Sequence, residues 1–392
     1  MSSVAAERPA PARDRATDPL DELVERIRRR GSCLLEGTPW DEEPEFPCAE
    51  HQPALGRLQE LAGIFGLARD ECDLVELCLA AALDPTLARL FAALHDHPAH
   101  GYPSDATAAR LLGLGHRRVR TSDGPLARWE IIREIHGAQS EPPALALDPL
   151  IRDWLTGGRA LDAALVRVAH LVDTGQDMPA WPAAEVAAWI AGRAGADEPQ
   201  AVRVVVDGPP GSGRRTFAAQ VAARLGLLAL AIDADAVEDH EWPVLFVRAQ
   251  RQAFLDRVAV VWYGARTLAR RWPRLVPSFP VQFIIAEPAD VVPRVAALAE
   301  RRISIPTPTI AERRELWRRA VPSAAAWPGA ELDMLAARYR LLPGDFAAIA
   351  LHRPSTAAEA SGLARGEGRH DLGELARWME CPYGWDDLIL PD

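Results

Sequence analysis

The chain has 392 residues, enough for two or three domains with cores of their own. Hydrophobic residues make up 48% and charged residues 25%, ordinary values for a globular protein, and no run of about 18 apolar residues occurs, so no membrane contact is expected. A formal net charge of −11 argues against a general nucleic-acid binder, though not against a local basic patch.

Two residue types are missing. All 44 basic side chains are arginine, and neither lysine nor asparagine occurs anywhere. The cysteines (Cys33, Cys48, Cys72, Cys78 and Cys381) show no C-x-x-C spacing. An odd, scattered set of thiols fits a reducing cytoplasm, with Cys72 and Cys78 as core thiols of a helix.

In chain order, residues 1–20 are rich in Ala, Arg, Pro and Asp and read as a disordered tail without a signal-peptide core. A short helix is expected over 20–30, an irregular acidic stretch over 31–53, and helices over 54–65, 69–83 and 86–94, with Asp70 as a candidate N-cap. Ser104-Asp105 is expected to cap a helix over 106–112. The period then changes, and strands are predicted over 126–135 and 144–147. Helices followed by a two-stranded hairpin outline a winged helix. Further helices are expected over 150–155, 160–172 and 182–192.

From residue 202 strands and helices alternate. Strands are expected over 202–206, 227–232, 258–263, 281–286 and 302–305, and the first four are apolar runs, as in a parallel sheet covered on both faces. The intervening helices are expected over 215–225, 243–255, 265–271 and 291–299. Helices at 309–320, 331–340, 345–352 and 372–380 follow, with a small-residue loop over 354–368.

The first of these strands leads into Gly208-Pro209-Pro210-Gly211-Ser212-Gly213-Arg214-Arg215-Thr216 and then a helix. Strand, glycine-rich turn and helix form the context of a phosphate-binding loop: the glycines let successive N–H groups face a phosphate, and the helix N-terminus adds positive potential. The pattern G-x-x-x-x-G-K-[ST] is met at Gly208 and Gly213, but Arg214 stands at the lysine position and Arg215 at the hydroxyl position. Thr216 comes one residue late, about 100° around the helix from a metal-ligand position.

These features together resemble an AAA+ ATPase module: an α/β P-loop core with a five-stranded parallel sheet and a helical lid, preceded here by a helical and winged-helix domain. The passage Arg302-Ile303-Ser304-Ile305-Pro306-Thr307-Pro308 with Glu312-Arg313-Arg314-Glu315-Leu316-Trp317 resembles that family's step from last strand to lid. The winged-helix outline and Tyr383-Gly384-Trp385-Asp386-Asp387-Leu388-Ile389-Leu390-Pro391 resemble, more narrowly, the bacterial AAA+ proteins encoded with extracellular contractile injection systems, where such a linker leads into a second module. The resemblance implies an N-terminal portion of such a protein, or a paralogue without the second module. The expected organisation is a tail (1–20), a helical and winged-helix domain (21–160), connecting helices (161–200), a degenerate αβ core (201–308), a lid (309–380) and a linker (381–392).

Hydrolysis in this class needs a cation on the phosphates, a hydroxyl and a carboxylate on Mg²⁺, a water-activating carboxylate and a trans arginine. Arg214 is the candidate cation, but its planar fork is no point-charge substitute for lysine. The third strand ends Trp262-Tyr263-Gly264 without an acid, and Asp233 and Asp235 follow the wrong strand. Glu287 stands at the sensor position, where it would repel a phosphate. Arg301 and Arg302 are candidate trans arginines for a neighbouring subunit, with a solvated pair as the competing reading.

The expectation is therefore weak binding of ATP or ADP through residues 208–216, with no acidic ligand for Mg²⁺, no catalytic residue and no hydrolysis. Such a module would act in assembly or regulation of a contractile injection system as a homo- or hetero-oligomer, with the winged-helix region docking protein partners. Two alternatives stay open: a winged-helix DNA-binding regulator with a nucleotide switch, using the cluster Arg110, His116, Arg117, Arg118 and Arg120, and an active ATPase with an unusual site.

Overall fold

The structure is a computed structural model and describes residues 19–38, 53–115, 117–137, 141–175, 178, 180–196, 200–272 and 279–366. The tail over 1–18, the helix expected at 372–380 and the linker over 381–392 lie outside the described residues. The chain divides into two compact units, Met1–Gly158 and Arg159–Asp392.

The first unit is built from α1 (Pro19–Glu36), α2 (Pro53–Phe65), α3 (Arg69–Leu83), α4 (Leu87–His95), α5 (Asp105–Leu111) and α6 (Pro125–Arg128). An antiparallel pair, β1 (Ile132–Ile135) and β2 (Ala144–Leu147), precedes α7 (Pro149–Leu155). Leu61, Leu74, Leu77, Leu111, Ile132 and Ile151 are fully buried, so the apolar stripes of these elements close one core. Burial also pushes the thiols up, that of the buried Cys78 to about 12 and that of Cys72, which is half-buried rather than in the core as expected, to about 11.

Three expectations are corrected here. The strand predicted over 126–135 begins instead as the helical turn α6, because Gly124-Pro125 starts a helix and Glu130 takes a left-handed conformation at φ 51°. The first helix runs six residues beyond Arg30, to Glu36. Asp70 does not cap α3: the N-cap is Ala68, whose N–H donates to the Glu71 carboxylate at 2.9 Å, while Asp70 pairs with Arg117. Ser104 does cap α5, accepting from the Thr107 N–H at 3.3 Å while its own N–H donates to Thr107 Oγ1 at 2.8 Å. Ser104→Ala is expected to cost about 1 kcal/mol in urea unfolding, since the Thr107 N–H then loses its acceptor.

The second unit contains β3 (Ala169–Leu171), α8 (Ala183–Ala194), β4 (Val202–Asp207), α9 (Arg214–Arg224), β5 (Leu228–Asp233), α10 (Trp242–Asp256), β6 (Val258–Tyr263), α11 (Ala265–Arg271), β7 (Val281–Ala286) and β8 (Ala299–Ser304). Beyond the sheet come α12 (Ile310–Ala320), a 3-10 turn (Pro322–Ala326), α13 (Gly329–Arg338), α14 (Pro343–Leu351) and α15 (Ala357–Ala364). The sheet has six strands in the order β3-β5-β6-β7-β4-β8. Five are mutually parallel, and β3 adds an antiparallel edge through Ala169↔Ile232 to Leu171↔Leu230. The five-stranded expectation is thus extended by one short strand.

The apolar runs behave as expected: every residue of β4 and β7 is buried, including Arg203. The Arg203 guanidinium is sealed inside by Glu300, by the Pro293 carbonyl and by the Trp272 ring, 5.4 Å away. The helix expected over 291–299 is absent: Pro293 disfavours the helical conformation at Val292, and the Pro293 carbonyl is committed to Arg203. The loop expected over 354–368 instead contains α15, capped by Thr356, whose hydroxyl accepts from the Glu359 N–H at 3.2 Å. The helices after β8 close a small core of their own around Trp317, with Phe346 packed edge-on at 5.1 Å.

The helix expected over 160–172 is absent as well. Asp162, buried in a turn, accepts from Arg251 Nη2 at 2.7 Å and from the Ala164 N–H at 2.9 Å, while its own N–H donates to Gln252 Oε1 at 2.8 Å. These partners on α10 fix the turn and leave residues 169–171 free to join the sheet.

Candidate functional site

In the sheet β4 lies between β7 and β8. The chain leaves β4 for β5, returns through β6 and β7, and then crosses to β8 on the far side. That makes the carboxyl end of β4 a topological switch point, where α/β sheets open a ligand crevice. Residues 208–213 occupy this point and lead into the N-terminus of α9.

The loop backbone needs its glycines: Gly211 has φ 82° and Gly213 φ 87°. Its Ser212 N–H donates to the Pro209 carbonyl at 3.1 Å. The Ser212 hydroxyl is buried, has no hydrogen-bond partner among the described residues, and lies 2.7 Å from where a Cβ on Gly208 would stand. On the outer side Gly344, at the start of α14, donates its N–H to the Gly211 carbonyl at 2.8 Å. A Cβ on Gly344 would come within 3.0 Å of the Gly211 Cα, so the two backbones touch.

A cavity of about 780 Å³ opens beside the loop. Gly211, Gly213, Arg214, Arg215 and Thr216 form its polar floor. Met178 and Trp181 wall one side; Leu316, Ala320, Phe346 and Ala350, from α12 and α14, wall the other. A polar floor under apolar walls, at this volume, suits a small ligand with one charged end and one flat apolar end.

The arginines of the floor have defined places. Arg214 donates from Nη1 to the Ala286 carbonyl at the end of β7, at 2.5 Å. Burial lowers the pKa of its guanidinium, and Glu287 opposes that shift; an arginine nevertheless stays charged. Arg215 lies over Tyr263 at the end of β6, 5.3 Å from the ring centroid, with Nη1 3.3 Å from His170 Nε2 on β3. Thr216 lines the cavity but its methyl faces Gly175, 3.1 Å from where a Cβ there would stand. Its hydroxyl position is thus not the one a metal ligand would take.

The Mg²⁺ that the family resemblance implies does not fit these residues. Tyr263 and Gly264 close β6 where a metal carboxylate belongs, and the Arg215 cation covers that end. Asp233 Oδ1 accepts the Asp235 N–H at 2.9 Å, which makes the pair a turn, and the Asp235 carboxylate packs against Gly264. Among the described residues no group of three or more His, Cys, Asp or Glu side chains is placed to hold a metal ion.

The two candidate trans arginines are both engaged within their own chain. Arg301 pairs with Glu185 and lies 5.8 Å from the Trp189 ring. Arg302 pairs with Asp207, the last residue of β4, at 2.5 Å. Glu287 is exposed and its N–H donates to Asp290 Oδ2 at 2.8 Å.

Sequence reasoning missed the upper half of the site: Met178, Trp181, Leu316, Phe346 and Arg319, which lines the cavity from α12 and donates to Glu315 at 2.7 Å. The spacings Leu316/Ala320 and Phe346/Ala350 mark helix faces, but nothing local says what those faces meet.

In the first unit the arginines of the expected basic cluster have partners within the chain, though Arg117 and Arg118 stay exposed. Arg110 donates to the Leu94 carbonyl at 2.6 Å, Arg117 pairs with Asp70, Arg118 with Asp105 at 2.6 Å, and Arg120 with Glu134 at 2.7 Å. His116 lies outside the described residues.

No single described helix is long and apolar enough to cross a membrane. None of the curated proteins matches this sequence. Among solved structures, the AAA domain of FIGL-1, crystallised in complex with ADP, is similar over 55% of this chain and 92% of its own, at 13% identity and a TM-score of 0.40. Residues 5–169 match the family described as a winged helix domain, variant.

Proposed function

We propose that the second unit is a nucleotide-binding module of AAA+ type that holds ATP or ADP in the cavity between loop and lid and does not hydrolyse it. The observation that carries this reading is the replacement of the hydrolytic centre by arginine: Arg215 lies on Tyr263 at the end of β6, where a metal carboxylate is required. The strand order, with the loop at the switch point, and the apolar walls for a base support the nucleotide part. Residues 208–216 bind the phosphates, chiefly through backbone N–H groups of the loop and of the first turn of α9.

A module of this kind acts through what it assembles or regulates. The sequence resemblance supports a contractile injection system as the setting, and an oligomer as the form. The internal pairing of Arg110, Arg117, Arg118 and Arg120 favours protein over DNA as the partner of the winged-helix region.

Steady-state phosphate release tests the absence of turnover. The full chain with ATP and Mg²⁺ is expected to release phosphate at the rate of buffer alone. Turnover that disappears in Arg214→Ala would overturn the non-hydrolysing reading.

A further inference from the structure

We propose that this site takes the diphosphate of a nucleotide without a metal ion, with the Arg215 guanidinium standing where Mg²⁺ stands in phosphate-loop ATPases. The inference rests on the nucleotide reading above and says what that reading leaves open: the ionic form of the ligand.

Position comes first. Arg215 is the second residue of α9 and holds the sequence position of the metal-binding hydroxyl. Its side chain covers the end of β6, from which the other metal ligand would come, and is held there by the Tyr263 face and by His170. One side chain therefore displaces both protein ligands of the metal.

Charge comes second. In the usual site lysine, Mg²⁺ and an aspartate sum to a net charge of two, set against the phosphates. Arg214 and Arg215 bring two positive charges to the same place without a metal, with Glu287, Asp290 and Asp207 as the acidic groups that act on Arg214. Each guanidinium has five N–H donors in a rigid fork that fits phosphate oxygens; Arg214 spends one on the Ala286 carbonyl. A Mg²⁺ ion arriving on the nucleotide would instead meet a like charge at the end of β6, where Tyr263 stands in place of a carboxylate.

Calorimetric titration of the full chain with ADP, once in EDTA and once with Mg²⁺ in excess over ADP, tests this directly. Binding is expected in EDTA and should weaken about tenfold or more with Mg²⁺, because the metal complex repels Arg215. In EDTA, Arg215→Ala should lose about 10–100-fold and Arg215→Lys should keep part of the affinity, with thermal unfolding showing that both variants are folded. The comparison of the two buffers needs no variant, so a misfolded Arg215→Ala leaves the test intact. Binding that requires Mg²⁺, binding equal in both buffers, or an Arg215→Ala variant with unchanged affinity would overturn the metal-free inference and leave the nucleotide reading standing. No binding in either buffer would overturn both.

Discussion

Asp162→Ala is expected to destabilise the second unit by about 3 kcal/mol, the lower end of the range for removing one partner of a buried ion pair. The Asp162 side chain is 2% exposed and that of Arg251 is fully buried. Asp162 also accepts from Arg248 at 3.3 Å and from the Ala164 N–H. Removing the carboxylate takes a buried acceptor from the Arg251 guanidinium and frees the turn that delivers β3 to the sheet edge. The loss reads as a lower urea midpoint for the transition of this unit, with its slope unchanged. Asp162→Asn, which keeps one oxygen acceptor for the Ala164 N–H, should lose less. A midpoint shift in Asp162→Ala no larger than that of Ser104→Ala would show that the pair does not anchor the turn.

Gly213→Ala should carry the second large effect, and it falls on the site. At φ 87° an alanine is strained, and its Cβ would stand 2.6 Å from Trp181 Cη2 and 2.8 Å from Cζ2. The indole has little room to move, because Trp181 is buried and packs edge-on against Phe217 at 5.9 Å. Strain and overpacking together are expected to cost about 2–5 kcal/mol. The loop N–H groups shift with the displaced backbone, so ADP affinity should fall at least about tenfold. Gly226→Ala is the internal comparison: its φ is 72° but nothing lies within 4 Å of an added Cβ. It should show the backbone strain alone, about 1 kcal/mol or somewhat more, with ADP affinity unchanged. Equal losses in the two variants would mean that the Trp181 contact does not shape the loop.

What was legible in the sequence follows from range. Strands β4 to β7 are apolar runs because both faces of the sheet are covered, and such runs are read without knowing their neighbours. The loop announced itself through Gly208, Gly211 and Gly213, whose backbone roles are local. The misses are long-range. Residues 160–172 have a helical look, but Asp162 answers to Arg251 and Gln252, far along the chain. Residues 291–299 lose their helix to Arg203 on another strand. The substitutions Arg214 and Arg215 were visible in the loop pattern; their directions, toward Ala286 and Tyr263, needed the sheet. The lid wall, Leu316 and Phe346, was hidden because it depends on α14 landing on Gly211.

The central claim is that the site holds a nucleotide and leaves it intact. The most direct measurement is to load the purified full chain with ATP in EDTA and in Mg²⁺, remove free nucleotide, and identify what stays bound after prolonged incubation. The expected result is ATP recovered unchanged from the chain, in greater amount from EDTA, and lost in Gly213→Ala. Recovery of ADP formed on the protein, or of no nucleotide under either condition, would contradict the account.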